Sequence, residues 1–169
     1  MMDKNDFFIK SNIENDLQRI SELINSGVFN VQILRIFQES VFTEIMIKLN
    51  DLLQKLNQLN CRIDFKDDVI NASDLTELVS NIRNAVCHME SGEHLLDTEK
   101  KIRFTFNIAY GKMNLISVGD KSLTSDYEDD ICFFYGENKI YIKRHIVRSL
   151  DESKKKIIEL YSDKEKLNN

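Results

Sequence analysis

The nine residues Lys101 to Ala109, KIRFTFNIA, pose the fold question for this chain. Ile102, Phe104, Phe106 and Ile108 alternate with Arg103, Thr105 and Asn107. A period of two is the signature of a strand with one buried face. Tyr110–Lys112, YGK, turns this strand back into MNLISV, residues 113–118, and the acidic, polar residues 119–130 read as a loop. ICFFYGENKIYIK, residues 131–143, reads as a second hairpin with Gly136 in its turn. The region from about 101 to 143 is therefore expected to be an antiparallel β insertion of two hairpins.

The segments around this insertion carry a helical period instead. Ile9, Ile13, Leu17, Ile20 and Ile24 recur every three or four residues, and Gly27 stops the run. Asn30 is placed to cap a second, longer helix whose stripe runs from Val31 through Leu34, Phe37, Val41, Ile45 and Leu49 to Leu59. After the polar break CRIDFKDDVINAS, a third helix is expected from about Ser73 to Ser91, and a last one from about Arg144 to Tyr161. The expected fold is mainly α, a helical bundle with the β segment inserted before its last helix, in one domain spanning residues 1–169.

Composition narrows the class. The 169 residues suffice for one stable core. A net charge of −5 argues against a general nucleic-acid coat protein while leaving room for a local basic patch. With no proline and 5 glycines, long helices meet few forced breaks. No stretch approaches the roughly 18 apolar residues of a membrane span, and MMDKNDFFIKSN lacks the apolar core of a secretory signal. Cys61, Cys87 and Cys132 are odd in number and widely spaced, which fits neither a disulfide framework nor a zinc pattern. A cytoplasmic setting without metal or cofactor is the expectation.

The residues that carry chemistry lie in the third helix, in LVSNIRNAVCHMESGEH, residues 78–94. On a helical wheel Leu75, Leu78, Val79, Ile82, Val86 and Met89 form the core stripe. Arg83 falls about 100° to one side, and Asn84 and His88 lie well round the other, as an i,i+4 pair able to touch. None of the three faces the core, so a cleft built on them needs a wall from another element or another subunit. An imidazole near neutrality can take the proton of an RNA 2′-hydroxyl or protonate a leaving 5′-oxygen. A permanently charged guanidinium suits the additional negative charge of a phosphorane-like transition state. An exposed arginine with a histidine at the negative end of a helix is the plain structural alternative.

Arg83-Asn84-x3-His88 resembles the motif of the HEPN superfamily, whose ribonuclease members carry an arginine, then four to six residues of which the first is polar, then a histidine. The resemblance implies a helical bundle that dimerises with two motifs facing each other, and metal-independent endoribonuclease activity in toxins or antiphage effectors. It implies Arg83 as transition-state stabiliser, Asn84 as orienter and His88 as acid–base group, with RNA as substrate. An antitoxin or inhibitor protein is the implied further partner, and a non-catalytic dimeric binding or assembly module is the alternative. Where nucleotidylated members of the family carry a tyrosine, two residues past the histidine, this chain has Glu90. Glu93 and Asp97 extend that acidic rim.

Offsetting positive charge is expected in KIYIKRHIVRSLDESKKK, residues 139–156, where Lys143, Arg144, Arg148 and Lys154 are candidate RNA-binding residues. Lysine stems covering apolar surface are the alternative there. The aromatic strands, with Phe104, Phe106, Phe133, Phe134 and Tyr135, must cover something: the bundle, a second copy, or a partner's strand.

Overall fold

The computed structural model describes residues 4–67, 71–88, 90–97, 102–119 and 121–167. Four α-helices occur among them: α1 (Lys4–Asn25), α2 (Arg35–Gln58), α3 (Leu75–Cys87) and α4 (Arg148–Leu167). Seven strands also occur: β1 (Leu95–Asp97), β2 (Ile102–Arg103), β3 (Asn107–Tyr110), β4 (Met113–Val118), β5 (Lys121–Ser125), β6 (Ile131–Tyr135) and β7 (Asn138–Tyr141). Helix makes up 54% and strand 20%, in three small sheets, so the fold is mixed α+β. This corrects the expectation of a mainly α bundle with two inserted hairpins.

The correction has a local cause in KIRFTFNIA. Its alternation is real, but the strand breaks into β2 and β3, with residues 104–106 outside strand geometry. The Phe104 N–H donates to the His94 carbonyl, and the Phe104 carbonyl accepts from the Gly136 N–H. The chain thus changes partner in the middle of its alternating run. β3 does not pair with β4 across the YGK turn; it pairs with β6, giving the antiparallel order β3-β6-β7. β4 pairs instead with β5, a strand built from residues expected to be loop. The hairpin at Gly136 forms as expected, with that glycine at φ +55.

Strand alternation then gives the three-stranded sheet two buried faces. Phe133, Tyr135 and Ile140 join Phe106 in the helical core, where Phe42 meets the Phe133 ring at 4.3 Å. Cys132, Phe134 and Tyr141 face the other way, onto Leu96 and Leu123. The sheet therefore separates two apolar clusters, a layered arrangement in which both strand faces escape water.

Helix ends also differ from the wheel. Asn30 accepts from the Gln32 N–H in a local turn, and α2 starts only at Arg35. Val31, Leu34 and Phe37, expected in the core stripe, are exposed in consequence. Asp74 caps α3 by accepting from the Glu77 N–H at 2.9 Å, and its carboxylate pairs with Arg62. Before α4 the residues Ile142–Val147 form a π-helical stretch. Asp130, its carboxylate fully buried, accepts from the backbone N–H groups of Ile131, Lys143 and Arg144 and from the Arg144 guanidinium. Those bonds hold the wide turn at its entry, where backbone donors lack helical partners.

No described helix is long and apolar enough to cross a membrane.

Candidate active site

α3 ends at Cys87, one residue before the histidine. His88 is its C-cap, with extended backbone at φ −127 and ψ 104. Residues 88, 90 and 91 do not continue the helix as the sequence pattern suggested, and Met89 lies outside the described residues. This early stop changes the site. On an ideal helix Arg83 and His88 diverge, but the extended His88 swings back toward the arginine.

A single guanidinium nitrogen joins the three residues. Arg83 Nη1 lies 3.2 Å from Asn84 Oδ1 and 3.5 Å from His88 Nε2. Guanidinium groups only donate, so this contact is a hydrogen bond only where Nε2 accepts, with a ring proton on Nδ1. Asn84 meets His88 through the backbone, its carbonyl accepting from the His88 N–H at 2.9 Å. His88 is exposed while Arg83 and Asn84 are half-buried. Arg83 Nε is buried without a partner, leaving the guanidinium with unused donor capacity.

A second histidine completes the arrangement. His94, 7% exposed, donates from Nε2 to the His88 carbonyl at 2.9 Å, and the Ser91 N–H donates to the same oxygen. The Ser91 hydroxyl accepts from the Glu93 N–H and caps the short 3-10 turn Gly92–His94. Gly136 packs against this turn so closely that a Cβ there would strike the Glu93 carbonyl oxygen and lie 2.9 Å from that of Leu95. The segment carrying His88 is thereby clamped from behind. The sequence pattern did not single out His94; the G-E-H run after a helix stop was the available signal for a buried capping turn.

The acidic rim is thinner than its sequence suggests. The Glu93 carboxylate accepts from Asn138 Nδ2 at 2.9 Å, while Glu90 is exposed. The side chain of Asp97 lies outside the described residues.

The basic candidates are elsewhere and mostly engaged. Arg144 contacts Asp129 and Asp130 and lies 3.7 Å above the Tyr127 ring. Arg148 donates to the Asp64 carbonyl and to Glu152, and Lys143 reaches Asp129. Lys154 is exposed on α4. His145 is buried, its Nε2 2.8 Å from Asp67 and its Nδ1 accepting from the Tyr141 N–H. Burial lowers its pKa, with Asp67 opposing. Arg148 and His145 thus join the α4 end of the chain to Asp64 and Asp67, Arg144 and Lys143 turn to Asp129 and Asp130, and none of these residues contacts Arg83 or His88 among the described contacts.

An apolar surface lies near the motif. The Tyr135 ring stacks on Phe42 of α2 at 5.9 Å and lies 6.3 Å from the His94 ring, which brings the first half of α2 near the segment that follows α3. At the start of α2 Leu34 is 66% and Ile36 67% exposed, with Val31 and Phe37 alongside. So large an exposed apolar run is a feature of interaction surfaces.

The chain matches no family model, no curated protein and no solved structure.

Proposed function

We propose that this chain is a metal-independent endoribonuclease of the HEPN type, working as a cytoplasmic homodimer in a toxin or antiphage role. The observation that carries the reading is the contact of one Arg83 nitrogen with both Asn84 and the exposed His88. In the proposed step the RNA 2′-oxygen attacks the adjacent phosphorus and its proton passes to one His88 imidazole. The P–O5′ bond breaks, and the leaving 5′-oxygen takes a proton from the His88 of the second copy. The products are a 2′,3′-cyclic phosphate and a 5′-hydroxyl. Arg83 offsets the charge that builds on the phosphorane, and Asn84 holds the guanidinium in place. The apolar run Val31–Phe37 supplies the surface on which a second copy brings its own motif into range. Lys154 and Lys143, at the surface, would contact the RNA backbone, and an inhibitor protein would compete for the dimer face.

The exposed apolar run also favours a second reading, a dimeric assembly module without catalysis. One experiment separates them: purified protein is incubated with RNA in EDTA beside His88→Ala. Cleavage to cyclic phosphate ends that disappears in the variant supports the nuclease. A stable dimer that leaves every RNA intact, or cleavage that survives the substitution, overturns it.

A further inference from the structure

The chain has seven arginines, all within the described residues. Four pair with carboxylates: Arg19 with Glu44, Arg62 with Asp74, Arg144 with Asp129 and Asp130, and Arg148 with Glu152. Arg35, Arg83 and Arg103 meet no carboxylate among the described residues. These three come from separate elements, α2, α3 and β2, and all three border the segment that carries His88 and His94.

Arg103 reaches that segment through the backbone. It is the cross-strand partner of Leu95, the residue after His94, and the N–H of the next residue, Phe104, donates to the His94 carbonyl at 2.8 Å. Ile102 and Phe104 pack inward on the cluster around Leu96, so alternation turns Arg103 out to solvent, where it is exposed. Arg35 reaches the segment through rings. It shares a stripe of α2 with the buried Gln38 and Phe42, three and seven residues on, and so leaves the helix on the side of the sheet. Its guanidinium lies 5.8 Å over the Phe106 ring, which is 6.0 Å from the Tyr135 ring, itself 6.3 Å from the His94 ring. Helix stability does not account for this arginine. A cation in the first turn opposes the helix dipole, that turn of α2 holds no acidic residue, and Glu39, one turn on, does not pair with it.

We infer that Arg35, Arg83 and Arg103 form a row that holds the RNA backbone across the motif, Arg83 at the scissile phosphate and the other two on flanking phosphates. Only the role of Arg83 rests on the nuclease reading. A guanidinium offers a phosphate two parallel donors, and an unpaired one has no ion pair to break before it does so. Positive charge gathered in this way lets a chain of net charge −5 bind a polyanion locally. Arg35 also leaves α2 on a different side from the exposed Ile36 and Phe37, so holding RNA and pairing two copies use different faces of the helix.

A 2′-O-methyl oligoribonucleotide, which lacks the attacking hydroxyl and cannot be cut, tests the row by fluorescence anisotropy over a salt series. Arg35→Gln and Arg103→Gln should each flatten the slope of log affinity against log salt by about 0.7, one phosphate contact on a single strand, and the double variant by about twice that. Arg35→Lys and Arg103→Lys, which keep the charge, should keep the slope. With cleavable RNA the glutamine variants should raise KM and leave kcat unchanged, with the dimer intact by sedimentation velocity. The expected slopes on an RNA that is never cut would sustain the row and remove the nuclease reading. Cleavage with unaltered slopes in both glutamine variants would overturn the row and leave the nuclease. No binding by the wild type, or lysine variants that lose as much as the glutamine ones, would also overturn it.

Discussion

The buried imidazole of His94 donates from Nε2 to the backbone carbonyl of His88 at 2.9 Å. Because His88 sits just past the last turn of α3, no helical hydrogen-bond ladder holds its carbonyl, and His94 with the Ser91 N–H takes that place. His94→Leu should therefore lower kcat for RNA about tenfold, as expected for a mispositioned acid–base group, with KM little changed. His94→Gln, whose amide reaches the same oxygen, should restore most of it. Equal losses in both variants would show that ring packing matters and the bond does not.

Arg83→Lys keeps the charge, but its side chain is one bond shorter and withdraws the nitrogen from the place where Nη1 contacts both Asn84 and His88. Single-turnover cleavage should slow by about 100-fold, the usual scale for removing a transition-state donor, while the melting temperature stays put. A rate near that of wild type would mean charge alone suffices.

Ile36→Glu and Phe37→Glu place charges on side chains that are already exposed. Sedimentation velocity should show a dimer becoming a monomer without loss of helical signal, and RNA cleavage should fall with the dimer. An unchanged dimer would move the interface away from the start of α2.

Asp130 accepts from three backbone N–H groups and from Arg144 with no exposure of its own. Asp130→Ala leaves buried donors without a partner and should destabilise the fold by about 3–5 kcal/mol in urea titrations. A loss under about 1 kcal/mol would mean that water replaces the carboxylate.

Several groups shape the acid side of the stability curve, and His145 and Asp74 act in different pH ranges. Burial lowers the His145 pKa in the fold although Asp67 opposes it, so below the unfolded value of about 6.5 the unfolded chain binds more protons there than the folded one, and stability falls with pH. Burial alone would raise the Asp74 carboxyl, but Arg62 and the Glu77 N–H outweigh it and hold it low. Its contribution is present above the unfolded carboxylate value of about 4 and disappears as pH falls through the lowered folded value. Urea midpoints should fall in two steps on acidification. His145→Gln should remove the upper step and Asp74→Asn should shrink the lower, to which Glu44, Asp126 and Glu152 also contribute, and a profile that neither variant alters would contradict both assignments.

The helices were legible wherever a stripe of Ile, Leu and Val recurred at helical spacing, because burying such a stripe needs no information from distant residues. The Gly136 hairpin was legible for the same local reason, an alternating run broken by a residue that tolerates positive φ. Partner choice was not. KIRFTFNIA alternates as one strand, yet the His94 and Gly136 backbone bonds to Phe104 divide it between two sheets. The apolar stripe of α2 was equally misleading at its start, since Val31 and Leu34 precede the first helical residue and have nothing to cover them.

Sequence alone determined which residue types stand at the site, Arg83, Asn84 and His88, and the amphipathic face that carries α3. Tertiary structure decided that they meet. A wheel assumes the helix continues, and on it the arginine and histidine part; the turn at Gly92–His94, pinned by Gly136 and Asn138, leaves His88 extended and returns its ring to Arg83. The β6–β7 hairpin that packs against that turn lies more than 40 residues further on, and a local pattern carries no trace of it.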